Sequence, residues 1–212
     1  VLSSGNNFYN EKSLVYTARI LVQQQNCSAA KTYLNQLQNN AQLKETYGFA
    51  INNLMSCYEG ERNFDSTLLF ARKVIEYDKT STDERNLAGL FAGKSLLGKK
   101  DTSTAINYFK TVATATTTIV GAESRYYIAL DLFNKNKFDD AKKMSFVIIN
   151  DIPSYDYWIG KSFLLLGDIY TKQGDNFQAK STLQSVLDNY EGDDEIKPEA
   201  RKKLDELNKL DN

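Results

Sequence analysis

Histidine is absent from the 212-residue chain, and cysteine and proline occur only twice each. Without imidazole there is no histidine general base, no Ser-His or Cys-His nucleophile pair and no histidine-ligated metal. Cys27 and Cys57 are too few for a disulfide framework and lack the C-x-x-C spacing of redox or zinc motifs. The expectation for them is two reduced thiols that pack as small buried hydrophobes, with the compartment left open. Long apolar runs are missing as well. The longest runs of Val, Ile, Leu and Phe, Phe146–Ile149 and Phe163–Leu166, have four residues, against the roughly 20 that a membrane-spanning helix needs. Neither charge is in excess: 26 Lys+Arg against 27 Asp+Glu leave a net charge of −1. A basic footprint for nucleic acid or an anionic membrane is therefore missing. The chain starts Val1-Leu2-Ser3-Ser4 without Met and without the basic and apolar segments of a signal peptide. It reads as a processed product or an excised fragment.

What is present is helical periodicity. Hydrophobic residues make up 42% and charged residues 25%, the composition of a folded chain rather than a disordered one. Leu14, Ala18 and Leu21 share one helical face, as do Ala30, Leu34 and Leu37, then Ile51, Leu54, Met55 and Tyr58. Short polar breaks such as Gln25-Asn26, Gly60 to Asn63, Gly98 to Asp101, Asn134 to Lys137 and Gly174 to Asn176 separate these stretches. Breaks this short make antiparallel neighbours.

The pattern also repeats. Asn63-Phe64-Asp65, Lys137-Phe138-Asp139 and Asn176-Phe177-Gln178 open equivalent helices, and the small residues that follow are Ala30, Thr67, Ala105, Ala141 and Ala179, spaced by 37, 38, 36 and 38. Twelve residues before each stands another small or slim residue: Ala18, Met55, Gly93, Ala129 and Gly167. Small residues at both places let two helices cross closely. The clearest instance, Leu166-Gly167-Asp168-Ile169-Tyr170 followed by Ala179, resembles the tetratricopeptide consensus of Leu-Gly-x-x-Tyr in helix A and Ala at the start of helix B. Pro153 takes the terminal position of the repeat and Gly174 the A-to-B turn.

The resemblance implies an all-α, right-handed α-solenoid of about five helix pairs, at about 11–41, 48–80, 86–118, 122–153 and 160–190, plus a capping helix at 196–210. Residues 1–10 form an N-terminal edge without a cap, so further repeats are expected ahead of it. Thr111 to Thr118, rich in β-branched residues, is expected to hold a helix end and its loop. Composition and the segments Leu183–Tyr190 and Pro198–Leu204 are similar to the C-terminal part of bacterial envelope tetratricopeptide proteins. That similarity implies a periplasmic or outer-membrane-associated scaffold. The alternatives are a cytoplasmic regulatory repeat domain and an accessory domain of a larger envelope enzyme.

Catalytic chemistry finds little support. Gly93-Lys94-Ser95 and Gly160-Lys161-Ser162 look like phosphate-loop endings, but Ala88 and Tyr155 stand where the first glycine is needed. The acidic run Asp193 to Glu195 lacks the alternating ligands of a calcium loop. No catalytic residue, metal or cofactor is expected. The tetratricopeptide resemblance implies instead a protein or peptide partner on the A-helix face. Projecting the repeat puts Phe49, Asn52, Ser56, Leu90, Lys94, Leu97, Tyr126, Leu130, Phe133, Lys161, Leu164 and Asp168 on that face. Each apolar member is equally a partner anchor or packing against the next A helix. Residues at the positions of a carboxylate clamp are Val15, Arg19, Asn52, Ser56, Leu90 and Lys94, which do not reproduce it.

Overall fold

The computed structural model describes residues 7–151 and 155–210. Among them are eleven helices and no strand: α1 (Asn7–Gln23), α2 (Cys27–Asn40), α3 (Lys44–Gly60), α4 (Phe64–Glu76), α5 (Thr82–Gly98), α6 (Thr102–Ala115), α7 (Ile119–Asn134), α8 (Phe138–Asp151), α9 (Asp156–Lys172), α10 (Asn176–Asn189) and α11 (Ile196–Leu210). The fold is all-α. Pro153 and the first six residues, both singled out in the sequence, lie outside the described residues.

Two compact units divide the chain, Val1–Tyr108 and Phe109–Asn212, with the division inside α6. In the first unit α1 to α5 pack in chain order, and α1 touches α3 as α3 touches α5. In the second, α7 to α11 pack in chain order, and α9 lies against both α7 and α11. Within each unit the odd-numbered helices are thus A helices in contact with the next A helix, as in a helical solenoid. The small positions sit at the crossings. Ala18, Ala30, Met55, Ala105, Ala129, Ala141 and Ala179 have no exposed surface, and Thr67 has 1%. At Gly167 an added Cβ would come within 2.9 Å of Leu183 Cδ2 on α10.

One device makes every A-to-B turn. Gln25, Arg62, Lys100, Asn136 and Gly174 all have positive φ, between 54° and 79°. At each, two backbone hydrogen bonds close the helix end: from Asn26 N–H to Leu21 and Gln25 N–H to Val22 at the first, and from Asp175 N–H to Tyr170 and Gly174 N–H to Thr171 at the last. These are Schellman closures. The next helix is then capped by a side-chain oxygen: Asn26, Asn63, Asp101 and Asp175 each accept a backbone N–H from three residues ahead, at 3.0–3.2 Å. Lys137 stands at the remaining turn, where it has no acceptor to offer.

The expectation of reduced thiols is wrong. Cys27, in the first turn of α2, forms a disulfide with Cys57 of α3, with Cα atoms 5.4 Å apart. Two residues 30 apart in sequence gave no spacing signal, because the pairing comes from stacking one repeat on the next. Helix ends facing other helices are closed across the repeat as well. The Glu11 carboxylate of α1 accepts the backbone N–H groups of Gln42 and Leu43, at 3.0 and 3.3 Å, just ahead of α3. Burial would raise its pKa, but hydrogen bonds from Thr46, Gln42 and Leu43 hold it below the usual carboxylate value. Arg85 of α5 donates to carbonyls at and beyond the end of α4, those of Ile75, Tyr77 and Thr80. Arg125 of α7 does the same for Ala113 and Thr116.

Candidate protein-binding face

The A-helix face takes a different form in each unit. In the first, α3 and α5 meet through polar side chains. Asn52 Nδ2 donates to Glu84 Oε1 at 2.9 Å, and Lys94 pairs with Glu59 at 2.8 Å. Phe49 is half-buried with the Arg19 guanidinium of α1 lying 5.7 Å from its ring centre. Ser56 is exposed and donates back to the Asn52 carbonyl. Leu90 is only 2% exposed and belongs to the core, whereas Leu97 is half-buried.

In the second unit the face is aromatic. Tyr126, Leu130 and Phe133 of α7 follow at i, i+4 and i+7 and are all half-buried. The Tyr126 ring packs 5.4 Å from Trp158 of α9, which meets Tyr157 edge-on at 5.0 Å. Phe133 packs 5.8 Å from Phe138 of its own hairpin. Leu164 is buried, in the cluster that includes Leu183, Ile196 and Leu207. Burial pushes the Tyr126 hydroxyl far above its usual pKa, helped by the nearby charges of Glu199 and Asp168.

Charged members of this face are tied to the last helix. Lys161 of α9 pairs with Glu199 at 3.4 Å, and Lys203 reaches both Glu199, at 3.6 Å, and Asp168, at 2.7 Å. Lys161 also lies over the Tyr126 ring, 5.9 Å from its centre. Burial lowers the Lys203 pKa, but its bonds to Asp168 and Glu199 outweigh burial and leave it raised. Therefore α11 does more than close the end: it supplies the counter-ions of the preceding A helix.

Glu59, Glu84, Trp158, Glu199 and Lys203 were missed from the sequence. For Glu59, Glu199 and Lys203 the signal is opposite charge about one repeat apart: Lys94 lies 35 residues after Glu59, Glu199 lies 38 after Lys161, and Lys203 lies 35 after Asp168.

The strings that looked chemical have structural uses. Gly93-Lys94-Ser95 lies inside α5 with Gly93 and Ser95 buried, and Gly160-Lys161-Ser162 lies inside α9 with Gly160 against Tyr190 and Ile196. Of the acidic run, Asp194 accepts the Tyr190 hydroxyl and, at 3.0 Å, the Ile196 N–H at the start of α11. Glu195 accepts the Tyr157 hydroxyl at 2.6 Å, which holds its carboxyl below the usual range.

Residues 161–192 match the family model of the tetratricopeptide repeat. The match covers α9 from Lys161 and the whole of α10, and this hairpin is a tetratricopeptide repeat. No curated protein matches the chain. Among the described residues no helix is long and apolar enough to cross a membrane. The repeat is a module of protein–protein interaction.

Proposed function

We propose that the protein is a non-enzymatic scaffold that holds a protein or peptide partner on the A-helix face, within a bacterial envelope assembly. The observation that carries this reading is the half-buried row of Tyr126, Leu130 and Phe133, with Tyr126 packed on Trp158, beside charges already fixed in ion pairs. Such a surface offers aromatic anchors of the kind that dominate interfaces. Its charges are ordered before binding, which lowers the entropy lost on association. The disulfide Cys27–Cys57 favours an oxidising compartment, which speaks for the envelope over the cytoplasm.

Affinity capture with this chain from its native cell extract, read by mass spectrometry, tests the reading. Tyr126→Ala and Phe133→Ala are expected to weaken a captured partner by about 1 to 2 kcal/mol while the helical signal is kept. Unchanged capture by both variants removes the aromatic face from the interaction. Recovery of the natural protein with free Cys27 and Cys57 thiols argues against the envelope.

A further inference from the structure

Tyr16 and Ile20, one turn apart on α1, are 66% and 53% exposed. Their repeat equivalents are covered. Counting along the repeat, Ile20 corresponds to Cys57, Ser95, Asp131 and Ile169, of which Cys57 and Ser95 are 2% exposed and Ile169 is fully buried. Tyr16 corresponds to Asn53, Phe91, Tyr127 and Leu165; the first three are half-buried and Leu165 is 3% exposed.

On α9 and α3 what covers them is the preceding hairpin. Leu165 and Ile169 of α9 share a core cluster with Ala129 of α7 and Ala141 of α8, with Leu132, Phe138 and Met144 packed around it. Cys57 of α3 is bonded to Cys27 of α2. The face of α1 is also suited to burial by charge. From Ser13 to Ser28 the only ionisable side chain besides Tyr16 and Cys27 is Arg19, which lies over the Phe49 ring. At the other end of the chain, α11 turns Arg201, Lys202, Asp205 and Glu206 to solvent. A face that is to be buried is depleted of charge, and one that stays in water is not.

We infer that the outer face of α1, centred on Tyr16 and Ile20, docks a further helix hairpin of this same repeat type, stacked in line as α7–α8 is stacked on α9. That hairpin presents small residues at the places of Ala129 and Ala141 and a ring of larger apolar side chains around them. The inference concerns the end of the repeat stack and is independent of a partner on the A-helix face.

The test joins a copy of residues 119–155, the chain's own α7–α8 segment, ahead of Asn7 in the full chain. Hydroxyl-radical footprinting then reads Tyr16, with Phe177, 78% exposed, as the internal reference. Tyr16 oxidation is expected to fall about twofold or more, in line with the half-buried to buried state of its repeat equivalents, while Phe177 is unchanged. The same extension on a Tyr16→Lys, Ile20→Lys background is expected to give no added thermal stability. A second extension built from residues 44–81 with Cys57→Ser repeats the measurement with a different hairpin. Tyr16 oxidised at the original rate in both extended chains overturns the inference. So does sedimentation velocity of the unextended chain showing a dimer that Ile20→Lys dissociates, because the face then belongs to a second copy.

Discussion

Cys27 and Cys57 join the first turn of α2 to the last turns of α3, so the covalent bond falls on the seam between the first two repeats. Cys57 is 2% exposed, at the place in the repeat where Ile169 of α9 packs into a core cluster. Closing a loop of this length removes denatured-state entropy worth about 3 to 4 kcal/mol. Cys27→Ser with Cys57→Ser is therefore expected to lower the stability of the first unit by about that amount. Urea titrations of the oxidised and doubly substituted proteins check it. Equal midpoints mean that the thiols are free in solution.

The seam between α9 and α11 makes a prediction about pH. Lys203 has a raised pKa, and burial together with the acceptors Asp194 and Glu195 raises Tyr190 and Tyr157. A group whose pKa is raised on folding stabilises fully below its unfolded value. For lysine and tyrosine that value is about 10, and the stabilisation is lost as the pH climbs through the folded value. The protein is expected to hold its stability up to about pH 10 and then to unfold steeply. Tyrosinate absorbance should show Tyr126, Tyr157 and Tyr190 ionising only as the helical signal is lost. Their titration in the folded protein at the ordinary tyrosine value sinks the prediction.

Glu11 sets the opposite limb. Its lowered pKa gives stability that is present above the unfolded value, about 4.3, and is lost as the pH falls through the folded one. Glu11→Ala strands the N–H groups of Gln42 and Leu43, and the loss of such a cap costs about 1 to 2 kcal/mol. Melting curves at pH 7 and pH 3 should differ less for Glu11→Ala than for the wild type. An unchanged difference sinks the assignment.

The helices were legible because their cause is local: apolar spacing, short polar breaks and small residues repeated every 36 to 38 positions. Gly167 could be singled out because a close crossing needs a missing side chain, and Leu183 does lie against it. The A-helix face was only partly legible. Leu90 and Tyr126 occupy related places in the repeat, yet Leu90 is core and Tyr126 stands against Trp158. That difference depends on the neighbouring helix, which a single-repeat projection does not contain. The disulfide was hidden for the same reason. So was Glu11, whose capped helix begins 33 residues further on.

Gly167 and Gly60 form a matched pair. At Gly167 the added carbon meets fully buried Leu183, while at Gly60, in the last turn of α3, nothing lies within 4 Å. Gly167→Leu is expected to lose about 2 to 3 kcal/mol by overpacking. Gly60→Ala, by restricting the unfolded chain, should gain about 0.5 kcal/mol. Thermal melts of both variants check this, and equal shifts would mean that the crossing yields without strain.

The five A-to-B turns share one backbone geometry but not one residue type, so their side chains can be ranked. A side chain with a Cβ in the left-handed region costs about 1 kcal/mol or more, and glycine avoids that cost. Gly174 already has glycine at φ 79°, Asn136 tolerates the region, and Lys100 at φ 64°, like Gln25 and Arg62, carries the cost of its Cβ. Lys100→Gly is therefore expected to stabilise by about 0.5 to 1 kcal/mol, and Asn136→Gly by less. The neighbouring position makes the complementary case. Lys137 precedes α8 where Asn26, Asn63, Asp101 and Asp175 cap their helices, so Lys137→Asp should supply the missing acceptor and add about 1 kcal/mol. Urea midpoints of the three variants, measured singly and combined, read the effects. Additive gains for Lys100→Gly with Lys137→Asp fit independent turns; a loss at Lys100→Gly would mean that the turn is not held at positive φ in solution.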